Sequence, residues 1–232
     1  MATIPVAVSR SGFRHDLIAA DTTAVTTSNA SDRLFRQMTG GQIPSVVIPN
    51  FVDDHAAARS QERDVRTGWV VVSRLSAEKG VAELVDIWPE VEDLLVIGDG
   101  PELARVRHAV EHKPRVRIVR TMPRSELRRV FSEKTGLIFP SRWHEVAPQV
   151  VVEAMCAGLP VVVFSDSDVA SDVIEAGAGQ CYSGAAELRR ALADVRDEWA
   201  SYSANARLKY EAEWTPARWL DRILSLYRRE AR

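Results

Sequence analysis

The 232 residues are 46% apolar and 27% charged, a composition typical of a globular chain with enough apolar side chains for a sizeable core. Thirty Lys and Arg against thirty-two Asp and Glu leave a formal charge of -2, so the charge balance does not indicate nucleic acid as a partner. No apolar run has the length of a signal peptide or a membrane span. Two cysteines do not make a disulfide framework in a chain of this size. We therefore expect a cytoplasmic protein.

The first fifty residues contain two short predicted strands with a helix between them. The strands lie at 24–27 and 46–48, and the helix begins at Ser28 and ends before Gly40. These elements are too few to bury a core of their own. We therefore interpret residues 1–50 as the tail of another domain with its linker, or as an extension laid on the main domain.

From Trp69 onward, short β-branched runs alternate with segments of helical period. The predicted strands are 69–73, 94–98, 116–119, 136–140, 160–164 and 179–182, and the predicted helices lie near 80–90, 101–112, 124–134, 148–157 and 168–176. Nearly continuous apolar strands that alternate with helices are typical of a parallel sheet covered on both faces. The sequence thus predicts a Rossmann-like, doubly wound parallel α/β domain over residues 51–214.

Beyond Ser183 the pattern is helical, with one helix expected from about 184 to 200 and a last one within 215–232. The last helix gathers apolar side chains on one face, which we expect to pack back on the fold, with membrane-surface contact as the alternative. The stretch from Arg105 to Arg129 has nine Lys and Arg against two carboxylates. We interpret it as a solvated face, with a basic patch that faces an anion or a membrane as the alternative.

In open parallel sheets, ligands bind beyond the carboxyl ends of the strands, so the residues that follow each strand are candidates. Arg74 and Lys79 follow the first strand of the predicted sheet, and two such cations could neutralise a diphosphate. Glu145 follows the fourth strand, and Glu153 comes about one and a half turns into the next helix, whose N-terminus attracts phosphate. Because carboxylates accept hydrogen bonds from sugar hydroxyls, this rim suits a nucleotide sugar.

Four motifs then carry a specific resemblance. Residues 145–160 resemble the Glu-x7-Glu signature of the family-4 retaining glycosyltransferases of GT-B fold, and residues 73–80 resemble the phosphate-binding turn of that family. Residues 96–102 resemble its next strand and loop, and residues 47–53 resemble the linker between its two Rossmann-like domains. The resemblance covers the chain from about residue 20 onward, and it implies the C-terminal, donor-binding half of a GT-B fold with a short remnant of the N-terminal, acceptor-type domain.

The resemblance also implies roles for individual residues. Arg74 and Lys79 would stabilise the departing diphosphate, Glu153 would hold the ribose hydroxyls, and Glu145 would contact the donor sugar or its phosphate. The substrate-binding surface would further include Gly98, Gly100, Met122, Arg142, Val146 and Ala147. The donor would be a UDP- or GDP-linked sugar, with no metal and no other cofactor, and the acceptor a sugar, a lipid-linked molecule or a protein.

A complete enzyme of this kind has an N-terminal domain of which residues 1–50 resemble only the last segments. The sequence therefore leaves three interpretations open. The chain is a fragment, or another polypeptide supplies the acceptor half, or the chain is a donor-binding domain with another use. Two other functions remain as alternatives. One is a noncatalytic nucleotide-sugar-binding module, and the other is a nucleotide-sugar epimerase of GT-B architecture.

Overall fold

The structure is a computed structural model that describes residues 22–54, 66–142, 145 and 148–230. It contains a small βαβ unit near the start of the chain and a larger parallel sheet wrapped by helices.

The βαβ unit consists of strand β1 (Ala24–Thr26), helix α1 (Asn29–Thr39) and strand β2 (Ser45–Val47). The two strands pair in parallel. Ser28 caps the helix by accepting a hydrogen bond from the Ser31 backbone N–H at 3.1 Å, and Gly40 ends it in the left-handed conformation. The predicted strand, helix and strand are confirmed.

The large sheet has six parallel strands in the order β5-β4-β3-β6-β7-β8. Its strands are β3 (Trp69–Val72), β4 (Leu94–Ile97), β5 (Val116–Val119), β6 (Gly136–Phe139), β7 (Val161–Phe164) and β8 (Gly179–Tyr182). The intervening helices are α2 (Val81–Ile87), α3 (Leu103–Val110), α4 (Arg124–Glu133), α5 (Gln149–Cys156) and α6 (Ala170–Glu175). The chain turns back between β3 and β6, which makes this pair of strands the topological switch point of the sheet.

Successive strand residues point to opposite faces of the sheet, and both faces are covered. Val71 and Val96 contribute to a core with α2 and α3, whereas Val70 and Ile97 contribute to a core with α4, α5 and α6. All four side chains are almost fully buried. The predicted doubly wound α/β fold is confirmed.

The helices at the end of the chain differ from the prediction. The expected helix from about 184 to 200 is divided into α7 (Ala185–Asp197) and the start of α8 (Trp199–Glu213), and the last helix is α9 (Pro216–Glu230). In α9, Leu226 is buried and Trp219 contacts Phe51. Leu220, Leu224 and Tyr227 of the same helix are exposed. No helix in the described ranges combines the length and the apolar character that crossing a membrane requires.

Helix α8 holds residues 52–54, which follow the βαβ unit in the chain. The Arg207 guanidinium forms an ion pair with Asp54 and donates a hydrogen bond at 2.8 Å to the carbonyl of Cys156 in α5. The Tyr210 hydroxyl donates to the Val52 carbonyl at 2.7 Å. The segment at 52–54 is therefore held against the large domain by side chains of one helix.

This anchoring gives a prediction for stability. Because the Arg207 side chain is only 14% exposed and its hydrogen bonds are charge-assisted, Arg207→Ala should lower the free energy of unfolding by about 2 kcal/mol. The exposed Arg189 of α7 is the control, and Arg189→Ala should change that free energy by about 0.5 kcal/mol or less. Urea unfolding measures both, and equal effects of the two substitutions would show that the anchor contributes no stability.

Candidate functional site

The candidate site lies at the switch point, where the loops after β3 and β6 meet. Gly80 has a φ of 63°, and a Cβ atom built on it would lie 2.6 Å from the carbonyl oxygen of Pro140. The Arg142 backbone N–H donates a hydrogen bond to the Glu78 carbonyl at 3.0 Å. The two loops are thus in backbone contact, which only a glycine at position 80 permits.

This contact brings together a cation and a carboxylate from different loops. The Lys79 ammonium donates a hydrogen bond to Oε1 of Glu145, and the Ser141 hydroxyl donates to the same oxygen at 2.9 Å. The Lys79 and Glu145 side chains are 20% and 17% exposed, and Ser141 is buried. Solvent screens such a pair only partly, so the two charges stabilise each other more strongly than an exposed pair would.

A groove runs beyond the carboxyl ends of β3, β4 and β5. Its lining residues are Val72, Ser73, Arg74, Ile97, Asp99, Gly100 and Thr121. Arg74 is exposed there, and its contact with a diphosphate stays a prediction. At Gly98 a Cβ atom would lie 1.9 Å from the Ser73 carbonyl oxygen. Close packing of these two loops therefore explains the glycine without any contact to a ligand.

Glu153 and Glu145 have different cationic partners. The Arg124 guanidinium lies 3.2 Å from Oε1 of Glu153, and the two side chains are 74% and 17% exposed. Arg124 is not among the site residues predicted from the sequence. The rule that located the others applies to it as well, because it opens the helix that follows β5. The two acids of the motif therefore each lie beside a cation.

The remaining predicted site residues have varied positions. Met122 is half-buried and packs against the core beneath α4 and α5. The Arg142 guanidinium lies over the Phe164 ring, 4.7 Å from its centroid, at the end of β7. Val146 and Ala147 lie outside the described residues, so their proposed contact with substrate stays a prediction.

Two cavities are lined by residues of both the βαβ unit and the large domain. The larger, of about 240 Å³, lies between the start of α5 and the loops after β1 and β2. The smaller, of about 140 Å³, lies between the start of α1, Glu145 and α6. Asp172 lines both cavities. Glu145 thus contacts the loop after β3 on the large domain and also lines a cavity that the βαβ unit helps to close.

A parallel sheet with charged side chains at its switch point has the architecture of the doubly wound nucleotide-binding domains. The chain belongs to the family described as glycosyl transferases group 1, whose sequence profile matches residues 56–213, more than half of the chain. A curated relative is the amylovoran biosynthesis glycosyltransferase AmsD of Erwinia amylovora, which is 26% identical over 126 residues. That match covers 53% of this chain and 34% of the relative.

Two solved structures show the similarity of fold. Sucrose-phosphate synthase from Thermosynechococcus elongatus superposes with a TM-score of 0.77 at 19% identity, over 99% of this chain and 64% of that one. HepE from Anabaena, solved in complex with UDP and glucose, gives a TM-score of 0.72 at 18% identity, over 97% of this chain and 68% of that one. Both superpositions agree with the predicted α/β fold of the C-terminal half of a GT-B structure. The match to AmsD spans about a third of the length of that relative.

The loop contact at the switch point gives a second prediction. Gly80→Ala would place a Cβ atom against the Pro140 carbonyl and force alanine into the left-handed region, so the free energy of unfolding should fall by about 3 kcal/mol. Gly184→Ala is the matched control, because no atom lies within 4 Å of the added Cβ and its backbone is extended. Chemical denaturation measures both, and a Gly80→Ala protein as stable as the control would contradict the described contact.

A third prediction concerns the acid that both cavities share. Burial raises the pKa of Asp172, and the nearby Glu213 and Glu175 raise it further against Lys209 and Arg33. Above its raised folded-state pKa, the charged Asp172 carboxylate lowers the stability of the folded state. As the pH falls, the folded state binds a proton before the unfolded state does, so this loss of stability disappears. Asp172→Asn should therefore raise the free energy of unfolding at neutral pH, and this gain should shrink as the pH falls.

The measurement is urea unfolding of wild type and Asp172→Asn over a pH series. Asp221→Asn, at an exposed position of α9, is the control and should change stability little at any pH. A gain from Asp172→Asn that grows toward low pH would contradict the assigned direction of the pKa shift.

Proposed function

We propose that the chain supplies the donor-binding half of a retaining family-4 glycosyltransferase, which moves a sugar from a UDP- or GDP-linked donor to an acceptor. The observation that carries the proposal is the contact of Lys79 with Glu145 at the switch point of the sheet. Doubly wound folds bind their ligands in this crevice. Membership of the glycosyl transferases group 1 family supports a glycosyl transfer role.

The cations would act on the departing diphosphate. Lys79 comes from the loop after β3, and Arg74 lies exposed in the adjacent groove. Two positive charges at this edge would stabilise the negative charge that develops as the bond to the sugar breaks, together with the dipole at the start of α5. Since the chain itself supplies this positive charge, we propose that the transfer does not require a divalent ion.

The carboxylates would bind the hydroxyl-rich parts of the donor. Glu153 would accept hydrogen bonds from the ribose hydroxyls, and Glu145 would contact the transferred sugar or its phosphate. In the described site Lys79 and Arg124 already lie beside these acids. Donor binding would therefore exchange ion pairs within the protein for contacts to phosphate and ribose, without exposing a lone buried charge.

The transfer step has a simple balance of bonds. The anomeric carbon loses its bond to a diphosphate oxygen and gains a bond to the acceptor hydroxyl oxygen on the same face of the sugar. The diphosphate leaves with the bonding electron pair, and the hydroxyl proton passes to the departing phosphate oxygen. In this step Lys79 and Arg74 would stabilise the diphosphate, and Glu145 would orient the sugar.

Calorimetric titration with UDP, GDP and uridine tests the donor site. Lys79→Ala should weaken UDP binding about tenfold or more and leave uridine binding nearly unchanged, because the lost contact is to the phosphates. Lys134→Ala is the control. Lys134 precedes β6, so it lies near the amino ends of the strands, whereas the candidate site lies beyond their carboxyl ends. Equal affinity of the wild type for uridine and UDP would remove the basis for assigning Lys79 to the phosphates.

Glu145 gives a separate test of catalysis. Glu145→Gln should keep or improve UDP binding, since it releases Lys79 from its ion pair, and should lower sugar transfer or donor hydrolysis at least tenfold. Both rates should survive EDTA. The noncatalytic module would be favoured if the protein binds UDP but shows no turnover, with or without a separately supplied acceptor domain. The role of Glu145 would be contradicted if Glu145→Gln leaves sugar transfer unchanged.

A further inference from the structure

Ser141 is a buried residue of the candidate site to which the proposed function gives no role. It follows β6, is 1% exposed, and its hydroxyl donates a hydrogen bond of 2.9 Å to Oε1 of Glu145. Its two neighbours in the chain, Pro140 and Arg142, both contact the loop after β3 through backbone atoms. The Ser141 hydroxyl is therefore a hydrogen-bond donor with a fixed position.

The second donor to the same oxygen, the Lys79 ammonium, is not fixed in this way. Lysine carries its charge at the end of a flexible four-carbon stem, so the ammonium can follow the carboxylate or move to another anion. Serine places its hydroxyl on a short side chain close to the backbone. The direction of the Glu145 carboxylate therefore depends more on Ser141 than on Lys79.

Donor binding increases the importance of Ser141. In the proposed function the Lys79 ammonium contacts the diphosphate, and Ser141 is then the described residue that still donates a hydrogen bond to Glu145. The Glu145 side chain is only 17% exposed, so it needs a donor to offset the burial of its charge. Both donors use Oε1, and no described residue donates to Oε2, which can therefore accept a hydrogen bond from a sugar hydroxyl.

We propose that Ser141 is the positioning residue of the donor site. Its hydroxyl holds Oε1 of Glu145 while Lys79 contacts the diphosphate, and it thereby directs Oε2 to the transferred sugar. Ser141 itself is too buried to contact the donor. The inference rests on the proposed function, because it takes Glu145 as a residue that contacts the transferred sugar. Ser141 should therefore affect the binding of the sugar and not that of the nucleotide.

Calorimetric titration of the full chain with UDP, UDP-glucose, GDP and GDP-mannose tests this role. For the sugar nucleotide that the wild type binds more tightly, Ser141→Ala should weaken binding about fivefold or more, because a hydrogen bond to a charged group is lost. Binding of the matching diphosphate should change about twofold or less. Ser141→Cys, which offers a weaker donor of similar size, should show the same selectivity to a smaller degree.

Two further variants separate positioning from a general loss of structure. Ser167→Ala is the matched control, because Ser167 is 4% exposed after β7 and its hydroxyl has no hydrogen-bond partner in the described part of the chain. This control should leave the affinity for both ligands unchanged. In a Glu145→Ala background, Ser141→Ala should change sugar-nucleotide binding about twofold or less, because the carboxylate that it positions is absent. Thermal unfolding of each variant shows whether the fold is retained.

Three results for Ser141→Ala would overturn the inference: an equal loss of diphosphate and sugar-nucleotide binding, no loss of either, or the same loss in the Glu145→Ala background. A wild type that binds neither sugar nucleotide would also overturn it. The UDP titration of Lys79→Ala tests the donor site separately. If Lys79→Ala weakens UDP binding but Ser141→Ala has no effect, only the positioning role is contradicted, whereas a wild type that binds neither UDP nor GDP contradicts the proposed function as well.

Discussion

The backbone contact between the loops after β3 and β6 is the constraint on which the candidate site depends. Gly80 adopts a left-handed conformation against the Pro140 carbonyl, and the Glu78 carbonyl accepts a hydrogen bond from Arg142. Two loops that are more than sixty residues apart in the chain are thereby fixed at one point. Without this contact, Lys79 would be an ordinary surface cation and Glu145 an unpaired, partly buried acid.

The charged pair at this point is arranged in advance of any ligand. Glu145 has two donors, Lys79 and Ser141, and the hydroxyl of Ser141 is buried beneath it. Both donors belong to the protein, so the carboxylate is not left as a lone buried charge before a ligand binds. Both carboxylates of the otherwise apolar motif lie beside a cation from another part of the chain, Lys79 in the loop after β3 and Arg124 at the start of α4.

Much of this could be predicted because the large domain follows local rules. The β-branched strands of the sheet and the start of α4 at Arg124 followed from periodicity and turn chemistry. Helix α8 did not, because only Ala206 and Tyr210 of its fifteen residues are buried, so its sequence lacks a clear apolar stripe. The Arg124 and Glu153 contact and the cavity beside Glu145 depend on how loops and the βαβ unit are placed in three dimensions, which no local pattern specifies.

The βαβ unit contributes the wall of a cavity at Glu145, and α8 anchors the segment behind it through Arg207 and Asp54. Glu145 thus lies where the loop after β3 meets the cavity that the βαβ unit helps to close. A crystal structure of the protein with bound UDP tests this most directly. The account predicts that the diphosphate oxygens lie within hydrogen-bond distance of the Lys79 ammonium. It also predicts that the ribose hydroxyls of UDP lie within hydrogen-bond distance of the Glu153 carboxylate. A diphosphate bound away from the β3 and β6 crevice would contradict it.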